Sequence, residues 1–221
     1  MQLDFSILIK YIPMFGSALL VTLKVTFCSL ALALVLSIPL SLCKISKVKF
    51  LQGFAAFYTS IFRGVPMLVQ VFMMYFGIPL VTGLKFTAFS AGTIVFAMNS
   101  AAYISESMRG GINAIDRGQY EAAMALGVPY TPMMKDIILP QAIKSVLPSL
   151  VNEFIGLLKN TTLIASIGLV DLLRTGQLIQ AATYRAFEPF FAIAVFYYLL
   201  VMILSYCGKL LERKVNKSDR G

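Results

Sequence analysis

Long apolar runs separated by short polar stretches dominate the chain. A soluble bundle would repeat a polar face every three to four residues along each helix, and Val65 to Val81 carries no such face. About 20 consecutive apolar residues cross the hydrocarbon core of a bilayer as a helix. Five stretches meet that need: Phe15 to Leu42, Ala55 to Leu80 with a kink at Pro66, Phe86 to Met108, Val146 to Val170, and Pro189 to Gly208. The longest polar stretch, Arg109 to Lys144, separates the third run from the fourth, and Asp171 to Glu188 has helical character of its own. The pattern predicts an all-α integral membrane protein of five transmembrane helices, one domain over residues 1–221 without repeats or linkers. The first run is too long for the apolar core of a signal peptide and lacks a basic leader, so it counts as a span. The basic tail from Lys209 is expected to fray beyond Val215.

Composition strengthens this picture. Of 221 residues, 58% are hydrophobic and 13% charged, and the mean hydropathy is +0.81, more apolar than a soluble domain can bury. A net charge of +9 would suit nucleic acid, but its distribution argues for membrane topology and no nucleic-acid partner. Lys44, Lys47, Lys49, Arg109, Arg117, Lys135, Lys144, Lys209, Arg213, Lys214 and Lys217 fall between alternate runs or after the last one. Such clusters mark the cytoplasmic side, which predicts an outer N-terminus and a cytoplasmic C-terminus. The chain has no histidine, so His-ligated metals and His-based triads are excluded. Cys28, Cys43 and Cys207 lack metal-like spacing and read as small apolar fillers.

Ionisable groups inside a bilayer cost about 2.5–3.5 kcal/mol each, which makes them functional candidates. Arg63, Glu106, Glu153 and Lys159 stand out. At 1.5 Å per residue, Glu153 lies about 13 Å from Lys144 and Asn99 about 15 Å from Arg109, near the midplane of a core about 30 Å thick. Glu106, a turn from Arg109, belongs near the cytoplasmic boundary, where pairing or gating suits it better. Asn99, Tyr103 and Glu106 share one helix face. For Asn99 and Tyr103, substrate contact and interhelical hydrogen bonding weigh equally, and Gln70 is a weaker candidate. An ionised Glu153 needs a cation, from the protein or from a bound molecule.

Within the polar stretch stands Glu121-Ala122-Ala123, then three residues, Gly127, nine residues, and Ile137-Ile138-Leu139-Pro140. This spacing resembles the E-A-A loop of permeases in binding-protein-dependent ABC importers. Arg63-Gly64-Val65-Pro66, Asn99-Ser100-Ala101-Ala102-Tyr103, Pro140-Gln141-Ala142, Asn152-Glu153-Phe154 and Lys159-Asn160-Thr161-Thr162 resemble the polar amino acid branch of that family. Val65 stands where threonine is expected. The loop's physics agrees: Gln119 to Leu126 is a run of helix formers, Glu121 is expected in the first turn, and Gly127 suits a left-handed C-cap. Pro129 and Pro132 are expected to stop the helix. Ala122 and Ala123 are small enough for another protein's surface to approach, and Ile137 to Leu139 should anchor the return along the membrane.

The resemblance implies the type I importer permease fold, with a cytoplasmic coupling helix between spans three and four. It implies a permease subunit in the bacterial inner membrane that carries a polar amino acid, cationic ones included, and is not an enzyme. ATP and magnesium would be bound by a partner, and the sequence carries no phosphate-cradling G-x-x-x-x-G-K-[ST] loop of its own. The implied partners are a second permease copy or similar chain, two ATPase subunits, an extracytoplasmic substrate-binding protein and membrane lipid. Tyr120, Glu121, Ala122, Ala123 and Gly127 become the coupling candidates, and Glu153, Asn99, Ser100, Tyr103 and Gln70 the substrate candidates. A scaffold or insertion factor is the alternative, but it has no need of midplane Asn and Glu. An ion-driven transporter would bring repeated halves and broken helices.

Overall fold

The computed structural model describes residues 3–217 and is all-helical over them. Asp4 caps a 3₁₀ turn, Phe5–Tyr11, by accepting from the Ser6 amide. The turn leads into α1, Ile12–Ile45, with Pro13 in its first turn, where a missing N–H costs nothing. α1 therefore exceeds the predicted Phe15 to Leu42, and its 34 residues reach about 51 Å. Its inner face is built from small residues, among them Ala18, Thr22, Thr26, Ser29, Ala33, Ser37 and Ser41. Thr26 and Ser41 return their hydroxyls to carbonyls one turn back, at 2.8 and 2.7 Å, so a polar face is buried without orphaned groups.

The predicted second span is the first correction. It is two rods: α2, Lys49–Gly64, and a second built from α3, Met67–Phe72, a π-helical turn, Met73–Gly77, and α4, Ile78–Thr82. They meet at 103°, far more than a kink. Thr87 then caps α5, Ala88–Asn113, by accepting from the Ser90 amide at 3.1 Å. α5 is the central post of the bundle and packs against α1, α2 and α8. Its small residues permit close approach: a Cβ built on Gly111 would sit 2.2 Å from Val146 of α8.

α6, Arg117–Ala125, stands apart from the long helices. After it come α7, Tyr130–Pro132, a π-helical turn, Met133–Ile138, and α8, Leu139–Asn160, which run together as one rod. α6 does end before Pro129 and Pro132, and the two prolines also open the next rod: Pro129 is its N-cap and Pro132 lies in its first turn. A 3₁₀ turn, Thr161–Ile167, follows. The rod reaches Ile167 and meets α9, Leu172–Thr183, at 47°. The expected fourth span, Val146 to Val170, is only the later part of this rod. α10, Phe187–Lys217, closes the fold and outruns the predicted Pro189 to Gly208; the tail beyond Lys217 lies outside the described residues.

Among the described residues, two helical stretches, Phe5–Ile45 and Phe187–Val215, are each long and apolar enough to cross a membrane, and the two bent pairs raise the number to four. α5 is not among them, because Asn99, Ser100, Ser105 and Glu106 dilute its apolar run. Cys28 and Cys207 are exposed on the outer surface rather than filling gaps, and all three cysteines are free.

Candidate functional site

The break between α2 and α3 organises the site. Pro66 has no N–H, so the Phe62 carbonyl, four residues earlier, loses its helical donor. A bare carbonyl inside a bilayer costs several kcal/mol. Two side-chain amides fill the gap. Asn99 Nδ2 donates to Phe62 O at 2.6 Å, and Gln70 Nε2 donates to Phe62 O at 3.0 Å and to Val65 O at 2.8 Å. Asn99 Nδ2 also lies 3.4 Å from Gln70 Oε1, which ties the two amides together. Tyr58 of α2 adds a bond to Met98 O at 2.8 Å. For Asn99, interhelical hydrogen bonding is therefore observed, and Gln70 is buried behind the break.

Beside the break opens a cleft of about 500 Å³ lined by Arg63, Pro66, Asn99, Tyr103, Glu153 and Asn160, among others. Of the predicted substrate residues, Asn99, Tyr103 and Glu153 meet here. Ser100 is buried beside the Glu153 carboxylate, and Gln70 does not line the cleft. The Arg63 guanidinium lies 5.0 Å from the centroid of the Tyr103 ring, a cation–π contact. Lys159 is exposed and outside the cleft. The cleft thus offers a carboxylate, a guanidinium and an amide at one place, a set suited to a zwitterion.

A second basin, of about 620 Å³, opens toward the α6 end of the bundle and shares Arg63 with the cleft. Glu106 is paired there on both oxygens. Lys44 of α1 reaches Oε2 at 3.0 Å, and Arg109 donates to Oε1 through Nε at 3.0 Å and through its terminal nitrogen. Lys44, read from sequence only as a flanking charge, is thus a structural partner. Its sequence signal was weak because the two groups are 62 positions apart.

α6 begins two residues earlier than the run of helix formers suggested. Asp116 is its N-cap, accepting from Gly118 N at 2.6 Å, so Glu121 sits in the second turn rather than the first. Gly127 is left-handed, with φ +70°, as its position predicted. The Val128 amide reaches Ala123 O and the Gly127 amide reaches Met124 O, both at 3.0 Å, which is the Schellman closure. Ala123 faces inward, 3% exposed, against Met133 and Ile138, so it seats α6 on the rod behind instead of meeting a partner. Tyr120 and Glu121 line a hollow of about 580 Å³ with Ile112, Arg117 and Met124. Burial raises the Tyr120 phenol above its ordinary pKa, with Tyr130 nearby adding to the shift.

Asp171 escaped the sequence reading. It is fully buried and caps α9 by accepting from Arg174 N at 2.8 Å. Its Asp-x-x-Arg start was the available signal.

The fold thus combines long apolar helices, a helix broken at a polar cleft and a short helix held outside the bundle. A sequence profile described as "Binding-protein-dependent transport system inner membrane component" matches residues 32–217, and the chain belongs to that family. It is 48% identical over 219 residues to the arginine transport system permease protein ArtQ of Bacillus subtilis (strain 168), covering 99% of this chain and 100% of that one. It is 47% identical to a putative glutamine transport system permease protein GlnP of Rickettsia felis, covering 96% and 98%. A solved amino acid ABC transporter, crystallised with histidines, superposes with a TM-score of 0.92 at 41% identity, covering 97% and 100%. The methionine transporter MetNI in an inward-facing state superposes at 0.80 with 19% identity, over 94% and 98%, which supports the fold. The permease reading of the sequence therefore holds.

Proposed function

We propose that this chain is the permease subunit of an amino acid ABC importer and that the cleft beside the α2–α3 break receives the amino acid in transit. The observation that carries this is the meeting of Glu153, Arg63 and Asn99 in one polar cleft beside a helix break. Glu153 would take a cationic group, Arg63 the carboxylate, and Tyr103 and Asn160 would line the path. The relatives named for arginine and glutamine transport support an amino acid as cargo. Glu153 tips the preference toward a cationic one.

In this reading the permease is one domain with five spans: α1, the α2–α4 pair, α5, the α8–α9 rod and α10. α5 is acceptable as a span because its polar face looks inward. The N-terminus is outside and the α6 end is cytoplasmic. α6 is the coupling helix: its exposed Met124, Leu126 and the adjacent Tyr130 offer apolar area to a groove in the ATPase, with Glu121 and Arg117 at the edge. Two permease chains, two ATPase subunits and an external binding protein complete the importer, and ATP with magnesium is held by the ATPases.

The test is uptake of arginine and glutamine into vesicles by wild type and Glu153→Gln, with a fixed binding protein. Selective loss of arginine uptake supports a side-chain contact, equal loss points to the α-ammonium, and unchanged uptake of both removes Glu153 from the site.

A further inference from the structure

We infer that the basin at the α6 end is a second binding station for the transported amino acid, one that takes its carboxylate after the cleft releases it. The inference rests on the cleft being the first station. The basin holds Lys44, Arg63 and Arg109 against the single carboxylate of Glu106, an excess of positive charge in a hollow large enough for a small molecule. Both oxygens of Glu106 are already engaged by its two cations, so its charge is spent on Lys44 and Arg109. The uncompensated field therefore selects an anion. Burial sharpens this: the Lys44 side chain is 6% exposed, so its charge is poorly screened by water.

The basin is also connected to the cleft. Gln52, Ala56, Thr59, Ser60 and Arg63 lie on one face of α2, a track about 17 Å long from the α6 end to the break that is polar except at Ala56. The opposite face of the same helix is apolar, with Phe50, Phe54, Phe57 and Ile61 exposed. A helix with one polar face inside a membrane protein lines water or a polar ligand. Arg63 belongs to both hollows, so a carboxylate held by Arg63 in the cleft passes to Lys44 and Arg109 without crossing an apolar surface. Glu153 attracts the cationic end and the basin the anionic end, so the amino acid leaves carboxylate first.

The test uses the purified complex of permease and ATPase subunits in nanodiscs of zwitterionic lipid, without nucleotide, and equilibrium dialysis of radiolabelled L-arginine. Two classes of sites per permease chain are expected. Glu153→Gln should weaken one class. Ala56→Glu, which puts a carboxylate into the basin from an exposed position on the α2 track, should weaken the other by about tenfold or more. Ala56→Gln, of equal bulk, should keep it within about twofold. Loss in Ala56→Glu with no effect of Glu153→Gln keeps the basin and removes the cleft. Identical isotherms for wild type and Ala56→Glu overturn the second station while leaving the cleft standing. Displacement of that class by adding phosphatidylglycerol to the discs, with no effect on arginine uptake, also overturns it and assigns the basin to a lipid phosphate.

Discussion

Two helix ends in this protein solve the same problem by opposite means. At the end of α6, the orphaned carbonyls of Ala123 and Met124 are met by amides of the next residues, Val128 and Gly127, within one turn of chain. At the end of α2, the carbonyls of Phe62 and Val65 are met by Gln70 and by Asn99, and Asn99 is 37 positions away from Phe62. The first closure needs only a residue tolerant of φ > 0. The second needs a neighbouring helix already docked. The local closure can therefore form in a segment that moves as a unit, whereas the nonlocal one locks α2 and α5 into one body around the cleft. Changes at the two ends should have different consequences.

The largest effect is expected at the break. Gln70→Leu leaves Val65 O without its side-chain donor and should destabilise the purified protein by about 1–3 kcal/mol. Asn99→Leu should cost less alone, because Gln70 still reaches Phe62 O. The double variant should lose more than the sum, since it strips Phe62 O of both donors. Thermal unfolding in detergent reads all three, and strict additivity would sink the shared-carbonyl account. Pro66→Ala sharpens it further: with the proline gone Val65 is free to turn from its extended backbone to a helical one, which brings an amide at position 66 to Phe62 O, so Asn99→Leu should become cheaper in that background.

The middle effect falls on Gly127. A Cβ there meets nothing within 4 Å, so the only cost of Gly127→Val is the left-handed backbone, about 1–2 kcal/mol. Because α6 packs mainly on Met133 and Ile138, the bundle should melt within a few degrees of wild type. Transport should fall sharply, while Gly127→Asn, which tolerates that backbone, should retain most of it. A large drop in melting temperature for Gly127→Val would show that the α6 closure also supports the bundle.

The same contrast explains what could be read from the sequence. Gly127, the existence of α6, the position of α5 and a bend at Pro66 follow from local chemistry and were legible. The 103° angle was not, because its support comes from α5, and neither was the pairing of Lys44 with Glu106 across two helices. The meeting of Asn99, Tyr103 and Glu153 followed from helix periodicity and depth, both of which survive packing. Gln70 was misjudged because an intramembrane amide looks the same in sequence whether it meets a ligand or a carbonyl. Ala123 was misjudged for a related reason: a small residue on a short helix permits close approach on either side, and only the position of Ile138 decides which.

The smallest stability effect, and the sharpest separation of roles, is expected within α6 itself. Asp116 and Glu121 are both acidic and both near the N-terminus of the helix, but the geometry divides their work. Asp116 accepts from Gly118 N and holds the first turn, so Asp116→Ala should cost about 1 kcal/mol of local helix stability. Glu121 lies in the second turn, beyond the reach of the orphaned amides, and the helix dipole has weakened there. It is exposed and lines the hollow with Tyr120 and Met124. Glu121→Lys should therefore change stability by less than about 0.5 kcal/mol. If α6 couples to an ATPase through that hollow, the same substitution should nonetheless abolish most transport and lower substrate-stimulated ATP hydrolysis in the assembled complex. Asp116→Ala should show the reverse balance, with faster amide exchange across α6 and transport only partly reduced. Hydrogen exchange and uptake measured on both variants separate the two outcomes. Wild-type transport by Glu121→Lys would remove α6 from the coupling role, and loss of α6 protection in that variant would return Glu121 to a capping role.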